Sequence, residues 1–179
     1  MSAATTPGDV VAFWREAGPK RWFAKDEAFD AAFDARFREA HFAAARRELD
    51  DWTATPEGGL ALLLLLDQFP RNVFRGTGHA YATDPLAHRF ATAMVASGDD
   101  AKVGRELRLF CYLPFQHAES MEDQERAVAL LQALGEAKWA LHHRDIIQRF
   151  GRFPHRNAAL GRESTPEERE FLARGGFGG

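Results

Sequence analysis

The sequence predicts an all-α protein with about eight helices stacked in antiparallel pairs. Residues that favour strands are scarce, because the 179-residue chain has only six valines and two isoleucines. Phe29, Phe33 and Phe37 recur every four residues, which is the spacing of an apolar helix face. Capping residues and glycines then divide the chain into helical segments.

Start and stop signals give the order of these segments. Asp9 is expected to cap the first helix and Asp84 the fourth. The third begins after Gly58-Gly59 and is expected to stop before Pro70, because proline disfavours helical geometry in the residue before it. Thr165 and Glu168 have the spacing of a capping box, which predicts the start of the last helix. The other helices are expected at about 26–49, 101–111, 120–135 and 137–150.

Length and composition predict one globular domain over residues 1–179, with an ordered core at about 8–173 and a disordered tail, GGFGG. The apolar run LALLLLL, residues 60–66, is too short for a membrane span of roughly 20 residues. It predicts a helix that is buried on all sides.

Charge and cysteine content limit the partners and the compartment. A net charge of -3 argues against nucleic acid or an anionic membrane as a partner. The single cysteine, Cys111, favours a reducing compartment, and the first ten residues lack the features of a secretory signal. We therefore expect a cytoplasmic protein.

One short motif occurs twice. QFPRNVFRG, residues 68–76, and RFPHRNAALG, residues 152–161, both contain Phe-Pro, then Arg-Asn, then a glycine four residues after the asparagine. Proline stiffens such a turn, and glycine permits left-handed backbone geometry. The guanidinium groups of Arg71 and Arg156 match a carboxylate or a phosphate. Two such turns that face each other across a groove would bind an anionic group from both sides.

A structural role for the same turns stays open. Asp67 follows five consecutive leucines and is expected to be buried and paired with an arginine from one of the turns. The asparagines would then bond to the turn backbone.

Positive charge is concentrated in HHRDIIQRFGRFPHRNAALGR, residues 142–162. Asp145 and Arg149 have the spacing of an ion pair on a helix. The other arginines of this stretch have no acidic partner nearby in the sequence, which predicts a distant carboxylate or a ligand. His143, two residues before Asp145, is a candidate acid or base.

A second candidate for acid–base chemistry is the loop YLPFQHAESMEDQE, residues 112–125, which supplies His117 and Glu119. Alternatively, Ser120 caps the following helix and Glu119 pairs with an arginine of the basic stretch. The chain has no HExxH or paired-cysteine spacing, and arginines near the histidines would repel a cation. Neither a metal nor another cofactor is therefore expected.

Four long blocks resemble the bacterial domain-of-unknown-function family 924 between about Val10 and Phe171. In chain order they are FW…RWFAKDEAFD…RF, LALLLLLDQFPRNVFRGTGHAYATD, YLPFQHAESMEDQERAV and HRDIIQRFGRFPHRNAALGREST. One departure is Ala118, where the family usually has serine. The resemblance implies an all-helical fold similar to tetratricopeptide-type superhelices, and it implies no particular activity. The family's characteristic positions correspond here to Asp67, Gln68, Arg71, Asn72, Arg75, Gly76, His117, Glu119, Gln124, His143, Asp145, Arg152, His155, Arg156, Asn157 and Arg162.

Three functional classes remain open. The first is a helical binding module whose groove takes a small anionic ligand or an acidic peptide end. The second is an enzyme that acts on an anionic substrate, and the third is a structural scaffold. The expected acid–base residues, on one wall of the groove, are His117, Glu119, His143 and Asp145. The expected ligand-binding residues are Asp67, Gln68, Arg71, Asn72, Arg75, Arg152, His155, Arg156, Asn157 and Arg162.

Overall fold

The computed structural model describes residues 5–179, which form α-, π- and 3-10 helices and no strand, so the all-α prediction is confirmed. Residues 1–4, which belong to the stretch in which no secretory signal is expected, lie outside the described residues. The α-helices are α1 Pro7–Ala17, α2 Pro19–Trp22, α3 Glu27–Ala45, α4 Pro56–Leu63, α5 Phe69–Val73, α6 His79–Ala82, α7 Asp84–Ser97, α8 Leu113–Gln116, α9 Met121–Leu134, α10 Ala137–Phe150 and α11 Pro166–Ala173.

The chain forms two compact units. The first unit contains the described residues up to Arg75 together with His79–Pro114, and the second contains Gly76–Gly78 and Phe115–Gly179. The single domain and the tetratricopeptide-like superhelix stay predictions. Within residues 5–179, no helix has both the length and the apolar character needed to cross a bilayer.

The core of the first unit contains the predicted aromatic stripe and leucine run. Phe33 and Phe37 of α3 are almost completely buried, and both pack against Phe13 of α1 with ring centroids 5.3 Å apart. Residues 60–66 are each at most 1% exposed. The prediction of a helix that is buried on all sides is therefore confirmed.

The leucine-rich helix does not stop before Pro70, so that prediction is wrong. A π-helical turn, Leu64–Gln68, joins α4 to α5, and the N–H of Phe69 bonds to the carbonyl five residues back. Proline has no N–H, and this wider turn accommodates its ring. Two nearby carbonyls accept hydrogen bonds from other elements. The Leu65 carbonyl accepts from Nδ1 of His41 at 2.8 Å, and the Leu66 carbonyl accepts from Oγ1 of Thr83 at 2.5 Å.

Two helix caps differ from the prediction by a few residues. Thr6, not Asp9, caps α1, and Asp9 completes a capping box from the third helical position. The N-cap of α7 is Thr83, so Asp84 is instead the first residue of the helix.

The predicted helix at 101–111 is wrong. This stretch contains two short 3-10 segments, Asp100–Lys102 and Arg108–Cys111. The Arg108 guanidinium donates to the carbonyls of Ala101 and Val103 at 2.7 and 3.1 Å. A side chain thus satisfies carbonyls that a continuous helix would bond to its own backbone.

In the second unit the predicted helices are confirmed. α9 and α10 are joined by two residues and pack along each other. Ser120 caps α9, and Gly135 closes it with a φ of 85°. The capping box of α11, formed by Thr165 and Glu168, is present as predicted.

The tail GGFGG was predicted to be disordered, but in the structure it packs on the second unit. Phe177 lies against the core formed by Ile146, Ile147 and Phe153. Two glycines direct it there. After α11, Gly175 has a φ of 79°, and the N–H of Gly175 and of Gly176 bond to the carbonyls of residues 172 and 171. This pattern is a Schellman motif, which fixes the direction of the chain as it leaves a helix.

Candidate functional site

The first repeated turn forms a buried ionic network. Asp67 is 1% exposed, and its carboxylate lies 3.1 Å from Nη1 of Arg71. The predicted burial and pairing of Asp67 are therefore confirmed. Arg71 also binds both carboxylate oxygens of Asp84, at 2.8 and 2.9 Å. Burial alone would lower the pKa of Arg71, but the two aspartates outweigh it and the pKa is raised. Gln68 donates to Asp67 at 2.6 Å.

The other polar residues of this turn bind an acid from α3. Asn72 donates to Oδ1 of Asp30 at 2.7 Å, and Arg75 binds the same carboxylate at 3.1 Å. Asp30 lies 42 residues from Asn72 in the sequence, and no sequence signal identified it as a partner. Gly76 has a φ of 76°, the left-handed geometry that a glycine at this position permits.

The second turn uses the same chemistry within the second unit. Asn157 and Arg152 both donate to Glu168 of α11, Asn157 at 3.2 Å and Arg152 at 2.7 and 2.8 Å. The hydrogen bond from Arg152, which outweighs the effect of burial, lowers the pKa of Glu168 to about 2. Gly161 has a φ of 65° and so matches Gly76 of the first turn. Each turn thus binds a carboxylate of its own unit through its asparagine and an arginine.

Glu119 belongs to the same network. Its two oxygens bind Arg162 at 2.6 and 2.9 Å, and Oε1 also accepts from the backbone N–H of Phe153 at 2.8 Å. Burial raises the pKa of Glu119, but these hydrogen bonds outweigh burial and the net shift is downward. The alternative in which Glu119 pairs with an arginine of the basic stretch is therefore confirmed.

One expectation for the basic stretch is wrong. Asp145 does not pair with Arg149, because it binds the adjacent Arg144 at 2.9 Å, while Arg149 binds Glu167 at 2.9 Å. Arg152 and Arg162 were expected to meet a distant carboxylate or a ligand, and the carboxylate alternative is confirmed, because they bind Glu168 and Glu119. The Asp145 side chain is 62% exposed, so it does not orient His143.

Four other predicted residues come together in the second unit. They are His117, His143, His155 and Arg156. His143 is 6% exposed, and its ring centroid lies 6.3 Å from that of His117. Arg156 donates to the His117 carbonyl at 2.9 Å and lies over the Phe153 ring at 4.5 Å. Phe153 in turn touches the rings of His143 and His155, at 5.4 and 5.7 Å. We call these four residues the histidine–arginine cluster.

His143 has a fixed orientation and is neutral. Its Nδ1 lies 2.8 Å from the Trp139 carbonyl, which makes Nδ1 the protonated nitrogen and Nε2 an acceptor. Burial, followed by the nearby His117, lowers the pKa of His143 to about 3. Other causes of the lowering include Arg156 and His142.

A second pair of histidines, His41 and His79, was missed by sequence reasoning. Their Nε2 atoms lie 3.0 Å apart in the first unit, and His41 is completely buried. Burial is the main reason that the pKa of His41 is lowered. The two residues are 38 positions apart and belong to no motif, so the sequence offered no signal.

Two surface cavities lie away from the predicted residues. One, of about 250 Å³, is lined by α11 and the start of the tail, including Phe171 and Arg174. The other, of about 260 Å³, lies between Thr55 and Met94 in the first unit. Among residues 5–179, no three His, Cys, Asp or Glu side chains are grouped so that they could hold a metal ion. The groove that would join both turns involves both units and stays a prediction.

Comparison with known proteins gives a family but no activity. The chain is similar to a solved structure described as a protein of unknown function, ATU0120, from Agrobacterium tumefaciens, with 59% sequence identity and a TM-score of 0.92. The similarity covers 94% of this chain and 97% of that one. No curated protein matches. The model of the family of bacterial proteins of unknown function called DUF924 matches residues 10–176, and the chain therefore belongs to this family.

Proposed function

We propose that this protein binds a small anionic molecule or an acidic peptide end, and that the histidine–arginine cluster of the second unit is the binding site. The observation that carries the proposal is the grouping of two histidines and an arginine within this unit. His117, His143 and Arg156 lie together, and both oxygens of the nearby acid Glu119 bind Arg162. An anion at the cluster would therefore meet cationic or hydrogen-bonding groups.

The chemistry of the cluster suits an anion. The guanidinium group of Arg156 offers planar donors, and imidazole becomes a donor on both nitrogens when it is protonated. His143 is held neutral by burial and by the positive groups around it. A bound anion would offset these effects and raise the pKa of His143, so binding should strengthen as the pH falls.

Binding is favoured over acid–base catalysis because the carboxylates expected to orient the histidines have other partners. Glu119 binds Arg162 and the Phe153 backbone, and Asp145 binds Arg144 at the surface. A general base is commonly oriented by a third group, as in a catalytic triad. For His143 the group that does this is the Trp139 carbonyl.

The proposal is tested by calorimetric titration with phosphate, sulfate and a short acidic peptide at low salt. Arg156→Gln should lower the affinity for the ligand that binds tightest at least tenfold, because a charge-assisted hydrogen bond contributes about 1.5–3 kcal/mol. Arg149→Gln is the matched control, since Arg149 is an exposed arginine of the same unit that is paired with Glu167.

Because Arg156 is buried, its loss could also impair folding. His117→Gln therefore serves as a second variant, and circular dichroism checks that both variants fold. If folded Arg156→Gln and His117→Gln bind as tightly as the wild type, or if the wild type binds none of the three ligands, the proposed function is wrong.

A further inference from the structure

Phe177 occupies a small aromatic site next to the histidine–arginine cluster. Its ring centroid lies 4.7 Å from that of His143, 5.5 Å from that of His142 and 5.1 Å from that of His155. All three contacts are edge-to-face, with interplanar angles of 65°, 80° and 88°. Trp139, which is 56% exposed, completes the surroundings at 6.4 Å. Edge-to-face packing favours a flat aromatic ring over an aliphatic group at this position.

The segment that carries Phe177 holds its ring at this site. Gly175, Gly176, Gly178 and Gly179 surround it in the sequence, so its ring is the only side chain of the segment. A Cβ on Gly176 would lie 2.6 Å from the Phe171 carbonyl oxygen, so a larger residue there would redirect the chain. Phe177 itself is half-buried. The ring is thus a partly exposed group on a glycine-rich segment.

We propose that this aromatic site accepts the ring of a small aromatic anion, such as an aryl phosphate or an aryl carboxylate, and that Phe177 is an internal competitor for it. The anionic group would lie at the histidine–arginine cluster, so the proposal rests on the proposed function. His143 belongs to both sites, and His155, whose ring also touches Phe177, is another shared residue.

The two sites are close enough for one small molecule. The centroid of the His143 ring lies 4.7 Å from that of Phe177 and 6.3 Å from that of His117. We therefore infer a ligand that carries its charged group close to its aromatic ring. Phe177 leaves the site open in only a fraction of the molecules. The apparent affinity for such a ligand equals the intrinsic affinity multiplied by that fraction.

The experiment compares three probes by calorimetry: phenyl phosphate, inorganic phosphate and benzyl alcohol. Phe177→Ala should bind phenyl phosphate about tenfold more tightly than the wild type, because the competitor is gone. Inorganic phosphate, which does not need the ring site, should bind both proteins equally. Gly176→Val should also raise the affinity for phenyl phosphate, because it redirects the segment away from the site while Phe177 is retained.

Two controls separate these effects from general changes in the surface or backbone. Phe23→Ala removes an aromatic ring of the first unit that is 65% exposed, and Gly18→Ala alters a glycine with a φ of 71°. Neither should change the affinity for phenyl phosphate.

The outcomes distinguish the two proposals. If phenyl phosphate binds the wild type, Phe177→Ala and Gly176→Val equally, the aromatic site is wrong, even where inorganic phosphate binds. If no protein binds inorganic phosphate but Phe177→Ala binds benzyl alcohol more tightly than the wild type does, the aromatic site stands and the anion-binding function is wrong.

Discussion

The ring of Phe177 packs edge-on against His143, with the two centroids 4.7 Å apart. This contact joins a glycine-rich segment to a buried histidine that is held neutral. The histidine–arginine cluster and the aromatic site are therefore neighbours, and both belong to the second unit.

The stability of the protein should fall in acid partly because of His143. Its pKa is about 3 in the folded chain, against an ordinary value of 6.5. Between these values the unfolded chain binds the proton and the folded chain does not, so stability is complete above pH 6.5 and declines as pH falls toward 3. This contribution is roughly 3–5 kcal/mol over the whole interval.

His143→Gln should therefore show a shallower decline in the free energy of unfolding, measured with urea from pH 7 to pH 4. His88→Gln, a change to a histidine of the first unit, provides the control and should keep the wild-type slope. A decline as steep in His143→Gln as in the wild type would mean that His143 titrates normally.

Removing one partner of the buried network in the first turn should be strongly destabilising. Asp67→Ala leaves Arg71 with one fewer carboxylate, and breaking a buried pair from one side costs about 3–5 kcal/mol. The urea midpoint should fall accordingly. Asp99→Ala breaks an exposed pair with Lys102 and should cost about 1 kcal/mol or less. Equal urea midpoints for the two variants would show that the buried Asp67 pair stabilises the fold no more than the exposed Asp99 pair does.

The π-helical turn should depend on Thr83. Thr83→Val removes the donor to the Leu66 carbonyl but keeps the shape of the side chain. A buried carbonyl without its partner costs about 1–3 kcal/mol. Thr53→Val is a suitable control, because Thr53 also donates to a backbone carbonyl but lies at the surface. Equal urea midpoints for Thr83→Val and Thr53→Val would show that the bond from Thr83 does not stabilise the turn.

Local rules predicted much of the helical fold. Ser120 and Thr165 lie where their capping preferences indicated, and the predicted burial of Asp67 followed from the five leucines before it. The prediction at Pro70 was wrong, because proline usually interrupts an α-helix, whereas the chain here forms a wider π-helical turn before it. His41 of α3 and Thr83, which lie 24 and 17 residues away in sequence, donate hydrogen bonds to the carbonyls of this irregular backbone.

The site was harder to predict because the ion pairs are not local. The basic stretch indicated a surplus of arginines, but Glu119 is 43 residues from Arg162, and Glu168 is 16 residues from Arg152. Sequence spacing identifies partners on one helix and gives no rule for partners on separate elements. The glycines around Phe177 were interpreted as a sign of disorder, whereas Gly175 is a helix-ending residue whose backbone bonds direct the segment.

The most direct test of the anion site is a ¹H–¹⁵N correlation spectrum of the histidine side chains during titration with phosphate at constant pH. The chain has seven histidines, which can be assigned by single substitutions. We predict that the ring-nitrogen signals of His117, His143 and His155 shift as phosphate is added, while those of His41, His79 and His88 do not change. A titration in which those first three signals stay unchanged, or in which all seven shift together, would contradict the assignment of the anion site to the histidine–arginine cluster.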